Sequence, residues 1–182
     1  MKGYPLFLNL EGERCLVFGG GNVARRKIEA LLKRGARITC VSQEFSNPLR
    51  NLAKKNRSRL LLKRARGRIR LDGARLVIAA TSDLRFNAQV ARTCRKAKVW
   101  VNVVDDPRLC DFYVPAVLER GPLQIAISTG GASPLFARRL REELEKVIPV
   151  STGRLLEKIG TLRRKKMSSL RGSANVLRRS SP

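Results

Sequence analysis

Gly19, Gly21 and Ala24 stand at a G-x-G-x-x-A spacing between a short apolar run, Cys15 to Phe18, and a helical pattern that follows at once. A turn so placed, between strand and helix, suits the phosphates of a dinucleotide. Gly19 permits the tight turn, Gly21 lets backbone N–H groups approach a pyrophosphate, and Ala24 lets the helix lie close to the strand. The helix then offers its positive dipole end and its free N–H groups to the phosphates. The plainer alternative is a glycine turn that holds nothing. A second group able to do chemistry is Asp105-Asp106-Pro107, directly after the apolar run Trp100 to Val104. A carboxylate at the end of a central strand, desolvated there, can accept a proton, whereas Asp before Pro is also an ordinary way to turn a chain. The chain has no histidine. The commonest general base at neutral pH and the commonest transition-metal ligand are therefore both missing, and acid–base work falls to Asp, Glu, Lys, Tyr or Cys.

The hydrophobic pattern supplies elements to hold these groups. A helix from Val23 through Leu32 stops at Gly35, and Arg37 to Val41 forms a second strand. A short helix (Pro48 to Asn56), a brief strand (Leu60 to Leu62) and a basic loop around Gly67 follow. Ala74 to Ala80 is an almost purely apolar strand, as expected where both faces are buried. A helix from Leu84 to Ala97 and a strand from Trp100 to Val104 complete a doubly wound, Rossmann-type α/β unit. Right-handed crossovers put its ligand crevice at the carboxyl ends of the strands. The cofactor candidates at that edge are Gly19, Gly21, Asn22, Val23 and Ala24 of the turn, with Ser42, Thr81, Ser82 and Asn102 from the strand ends. Asn102 is placed either to contact the cofactor or to hold a neighbouring loop.

Beyond residue 111 the pattern changes. Phe112 to Leu118 and Leu123 to Ser128 predict two strands joined across Glu119 to Pro122. Thr129-Gly130-Gly131 follows, a turn whose backbone N–H groups could bind a substrate carboxylate or could simply shape this region. Ser133 and Pro134 open a helix as N-cap and first residue, with Arg138–Glu142, Arg139–Glu143 and Arg141–Glu145 spaced to pair along it and Pro149 to end it. From Ser151 onward the pattern is a basic helix that frays into a Ser/Arg-rich tail. Three regions result: 1–111, 112–149 and 150–182.

The 182 residues carry a formal charge of +25, which attracts polyanions of any kind. The excess concentrates in Lys54 to Arg75, with ten Lys or Arg against one acid, and in the tail, with nine against one. Few aromatic residues interleave these runs, so a nucleic acid would find only phosphate contacts there. No apolar run approaches the length of a bilayer span, and the N-terminal residues lack a signal-peptide pattern, so a cytoplasmic protein is expected. Cys15, Cys40, Cys94 and Cys110 show no metal-ligand spacing and read as small core residues.

Four segments in order carry a family resemblance: Tyr4 to Leu10, Gly19 to Lys27, Leu76 to Asp83 with Asn87 and then Val101 to Asp105, and Ser128-Thr-Gly-Gly-Ala-Ser-Pro-Leu-Phe-Ala-Arg-Arg-Leu-Arg-Glu142. Over about residues 3 to 150 the chain resembles the siroheme synthase dehydrogenase/ferrochelatase family, whose members oxidise precorrin-2 to sirohydrochlorin with NAD. The resemblance implies NAD as cofactor, precorrin-2 as substrate, a homodimer built through the region after residue 111, and Asp105 as catalytic aspartate. It implies Asp105 also for iron insertion, should the chain perform it. Precorrin-2 bears eight carboxylates, which suits a basic cleft. Thr129 stands where the family usually has serine, and the acidic residue expected about 20 positions after the glycines to hold a ribose hydroxyl is absent at Val41-Ser42. Two other classes of function remain open: a non-catalytic sensor of NAD or tetrapyrrole, and a nucleic-acid-binding Rossmann protein.

Overall fold

β1 (Arg14–Phe18), β2 (Arg37–Ser42), β3 (Leu60–Arg64), β4 (Leu76–Ala79) and β5 (Trp100–Val103) form a parallel sheet in the order β3-β2-β1-β4-β5 in the computed structural model. The structure describes residues 3–65 and 68–179, with side chains to residue 166. Gly67, the centre of the expected basic loop, lies outside them. The strand order reverses at β1, whose partners are β2 on one side and β4 on the other. Strand reversal at β1 makes its carboxyl end the switch point of the sheet.

Alternation along the strands sends successive side chains to two different cores. Cys15 and Val17 join Ile38, Cys40, Leu60 and Ile78 beneath α1 (Asn22–Leu32) and α2 (Asn47–Lys55). Leu16 and Phe18 join Val77, Ala79, Val101 and Val103 beneath α3 (Leu84–Lys96). Helix α1 docks through Ala24, Ile28, Leu31 and Leu32, all buried. The four cysteines are buried among these apolar residues. Burial pushes the Cys15 and Cys94 thiols up to about 11 and that of Cys40 to about 12, so all three stay protonated under ordinary conditions.

A second compact unit begins at Val114. β6 (Ala116–Arg120) and β7 (Leu123–Ile127) pair antiparallel, followed by α4 (Pro134–Val147) and α5 (Ser151–Arg179). The expected strand at Phe112 to Leu118 starts four residues later. Pro115 has no N–H to donate to a ladder, and the Phe112 carbonyl is already taken by the Asn102 amide at 3.0 Å. The hairpin loop is correspondingly shorter, because β6 runs to Arg120. Ser133 caps α4 as expected, its Oγ accepting from the Phe136 N–H at 3.1 Å. Arg138–Glu142 and Arg141–Glu145 pair along the helix. The third expected pair does not form, since Glu143 instead meets Lys146 at 2.7 Å. The guanidinium of Arg120 donates to the Glu145 and Ile148 carbonyls, tying the hairpin to the end of α4. A Cβ on Gly153 would meet the Arg120 carbonyl oxygen at 2.6 Å, so glycine lets α5 start against the hairpin. The segment expected to fray continues as helix to Arg179. Among the described residues no helix is long and apolar enough to cross a membrane.

Ile28 is fully buried under the sheet. Ile28→Ala should lower stability by about 2–5 kcal/mol, read as a shifted midpoint with unchanged slope in urea unfolding.

Candidate functional site

The site is built where β1 stops. Gly19 adopts φ +121°, and a Cβ there would overlap the Ala80 carbonyl at the end of β4. Its N–H donates to the Val41 carbonyl at 2.9 Å, and its carbonyl accepts from the protonated Cys40 thiol at 3.2 Å. The turn is thus fastened to β2 and lies hard against the end of β4. Gly20 is under equal pressure, since a Cβ there would overlap the Glu44 carbonyl and crowd the Ser42 hydroxyl. Sequence reasoning passed over Gly20, because its spacing belongs to no motif; the run of three glycines was the available signal.

Gly21 differs from both. A Cβ on it would meet nothing within 4 Å. It is the N-cap residue of α1, no side chain caps that helix, and its first turn holds no acid. The amides at the start of α1 therefore face open space with no carboxylate competing for them. A pyrophosphate needs room for a close approach and free donors in the dipole's positive end, and this turn offers both. The fit to a dinucleotide rests on that geometry. Asn22 is exposed, Val23 half-buried and Ala24 fully buried against the β1 core.

At the end of β4 the Thr81 hydroxyl donates to Asn87 Oδ1 at 2.7 Å and accepts from the Asp83 N–H at 3.2 Å. Asn87 is buried, and its amide returns a bond to the Thr81 carbonyl at 2.9 Å. Asp83 caps α3 by accepting from the Phe86 N–H. Thr81 is therefore fixed at the strand end and Ser82 lies exposed beside it. Ser42 ends β2 half-buried beside the turn.

β5 ends in the acidic turn. Asp105 adopts φ +64° and is exposed, contrary to the expected desolvation; aspartate is among the few residues that tolerate this conformation. Asp106 accepts from the Arg108 N–H and side chain, and that guanidinium holds its carboxyl below the usual carboxylate range. One carboxylate of the pair is thus engaged in turning the chain, while Asp105 makes no hydrogen bond or salt bridge among the described residues and feels only the charge of Lys27. Cys110 clasps the turn, accepting from the Val103 N–H at 3.2 Å with the Val103 carbonyl equally near. The amide of Asn102 is buried and bonds the Phe112 carbonyl, so of its two expected positions it holds the loop. Lys27, on α1, was absent from the expected set. Burial lowers the pKa of its ammonium and Arg26 adds to that, while Cys110 and Asp105 pull it back up. A basic residue six positions past a glycine turn is common on solvated helix faces, which is why spacing did not single it out.

Thr129, Gly130 and Gly131 lie in the second unit. Gly130 and Gly131 take φ +63° and +91°, and the Thr129 hydroxyl accepts from the Ser133 N–H at 3.0 Å.

Residues 6–116 match the family model described as putative NAD(P)-binding, and residues 120–146 match the sirohaem biosynthesis protein central model. The siroheme synthase of Methylobacillus flagellatus is 44% identical over 155 residues, covering 85% of this chain and 33% of that protein. That of Nitrosomonas europaea is 44% identical over 157 residues, covering 86% and 33%. The chain thus spans about a third of the length of these relatives. Among solved structures, SirC, precorrin-2 dehydrogenase, superposes with a TM-score of 0.72 at 31% identity, over 85% of this chain and 76% of that one.

Adjacent glycines should respond in opposite directions. Gly20→Ala forces backbone against backbone and should cost about 1–3 kcal/mol. Gly21→Asp adds an N-cap in open space and should raise stability by a few tenths of a kcal/mol. Thermal unfolding of the two variants beside the wild type checks both signs.

Proposed function

The chain belongs to the family that forms the N-terminal region of siroheme synthases, and on that premise we propose that it oxidises precorrin-2 to sirohydrochlorin with NAD. The observation that carries this reading is the pairing of an open, uncapped helix start at Gly21 with an Asp105 carboxylate free of hydrogen bonds and salt bridges, both on the carboxyl edge of one sheet. Bound NAD supplies the acceptor for the hydride. Gly19 and Gly20 hold the turn in shape, and the amides of Gly21, Asn22, Val23 and Ala24 bind the pyrophosphate. Ser42, Thr81 and Ser82 line the crevice, with Thr81 fixed by Asn87. Asp105 takes the proton that leaves with the hydride, and Lys27 offsets the negative charge beside it. Thr129, Gly130 and Gly131 bind a substrate carboxylate. Iron insertion into the product would fall to Asp105 and the macrocycle's own nitrogens, because no group of three metal-ligating side chains occurs among the described residues.

The test is anaerobic turnover of precorrin-2 with NAD, followed by NADH formation. Asp105→Asn should lower kcat by about 10²–10⁴-fold with NAD affinity retained. Gly21→Asp, although more stable than the wild type, should lose NAD binding by charge repulsion at the pyrophosphate. Bound NAD or tetrapyrrole with no turnover in the wild type would instead favour a sensor.

The reading includes a cytoplasmic homodimer formed through the second unit. Only Leu118 and Ala137 of that unit's apolar side chains are buried among the described residues, while Leu135, Phe136, Val147 and Val150 are all at least 60% exposed. Such a surface is what a dimer covers. Light scattering should give twice the chain mass, and Phe136→Asp should shift the equilibrium to monomer.

A further inference from the structure

The connection from β3 to β4 contains no helix among its described residues. The sheet face opposite α1 and α2 is therefore covered near β2 only by Ile69 and Leu71 of that connection, and Leu61 on β3 is 53% exposed. A cavity of about 270 Å³ opens there. Arg14, Arg37, Arg57, Arg59 and Lys63 line it, with Asp72 as the one acid. Arg14 and Arg37 begin β1 and β2, so the cavity lies toward the amino edge of the sheet. Five-residue strands put that edge roughly 15 Å from the glycine turn, and the cavity shares no lining residue with the cofactor crevice.

The charge around this cavity is poorly balanced. Asp72 faces Lys63 at 3.8 Å and Arg70 at 3.2 Å, and its backbone carbonyl accepts weakly from Arg14 at 3.4 Å. Arg59 is directed to the Leu32 carbonyl at the end of α1. Arg37 and Arg57 have no partner for their guanidinium groups among the described residues. Guanidinium forks suit phosphate and carboxylate oxygens in paired hydrogen bonds. A net cationic cavity with apolar walls and no aromatic lining does not suit stacked bases, and its volume holds a small molecule.

We propose that this cavity is a second binding site, separate from the cofactor crevice, for a compact small molecule bearing two or more phosphate or carboxylate groups. The proposal does not rest on the dehydrogenase reading. Arg37 and Arg57 supply the free forks, Arg14 and Lys63 add charge at the walls, and Asp72 orients the loop that closes one side.

Calorimetric titration of the full chain with tripolyphosphate and with citrate, in saturating NAD and about 0.15 M salt, tests this. At least one probe should bind saturably at one site per chain, and which binds better separates a phosphate ligand from a carboxylate one. Arg37→Ala/Arg57→Ala should weaken that binding about 10-fold or more with NAD affinity unchanged. The control Lys158→Ala/Arg163→Ala, an equal loss of charge on α5, should leave it within about 2-fold. Arg57→Ala alone serves if the double variant is poorly folded. The proposal is overturned if neither probe saturates, if the two double variants weaken binding equally, or if single-stranded RNA binds more tightly than both probes with affinity rising with its length.

Discussion

Backbone-to-backbone contact at a three-glycine turn governs the first unit. Gly19 lies against Ala80 and Gly20 against Glu44, so the end of β1 is held between the segments that leave β4 and β2. No side chain fits in either gap. The consequence reaches both links of sheet and site: the same contacts that fix the relative heights of three strands also set the first amides of α1 in the open. Stability and ligand geometry are not separable here, because one turn determines both. The protonated Cys40 thiol on the Gly19 carbonyl extends this constraint to a side chain whose burial keeps it a donor.

The division of labour at the acidic turn follows from neighbours that are distant in type though close in sequence. Asp105 and Asp106 are chemically identical. Arg108 engages one, and the other, on a left-handed backbone, makes no bond to it. Cys110 and Asn102 then hold the turn to β5 without touching the carboxylate itself. A polar network thus holds the turn in shape while leaving one of its two carboxylates without a hydrogen bond.

Much of this was legible in the residues. The parallel sheet followed from apolar runs such as Leu76 to Ala79, and the helix at Pro134 from its cap, because both signals are local. The late start of β6 was not, since it depends on Pro115 and on a long-range bond from Asn102 that no spacing announces. The Glu143–Lys146 pair likewise replaces the expected partner through rotamer choice on an exposed face, where energies differ by tenths of a kcal/mol. At the site, glycine spacing located the turn but could not rank Gly20 beside Gly19, since close approach is a property of the neighbouring strand. The placement of Thr81 was legible and its fixation by Asn87 was not, for the same reason.

The cations on β3 have another effect, in colloidal terms. β3 is an edge strand, and an open edge with free N–H and C=O groups is a template for pairing with another chain. Lys63 and Arg64 at its end, with Arg57 and Arg59 before its start, repel an identical edge and keep the sheet from growing across molecules. Any polyanion that neutralises these charges also removes the repulsion. Solubility of this chain is therefore coupled to its ionic surroundings at one edge of one sheet, and the charge that attracts a ligand is the same charge that keeps the molecules apart.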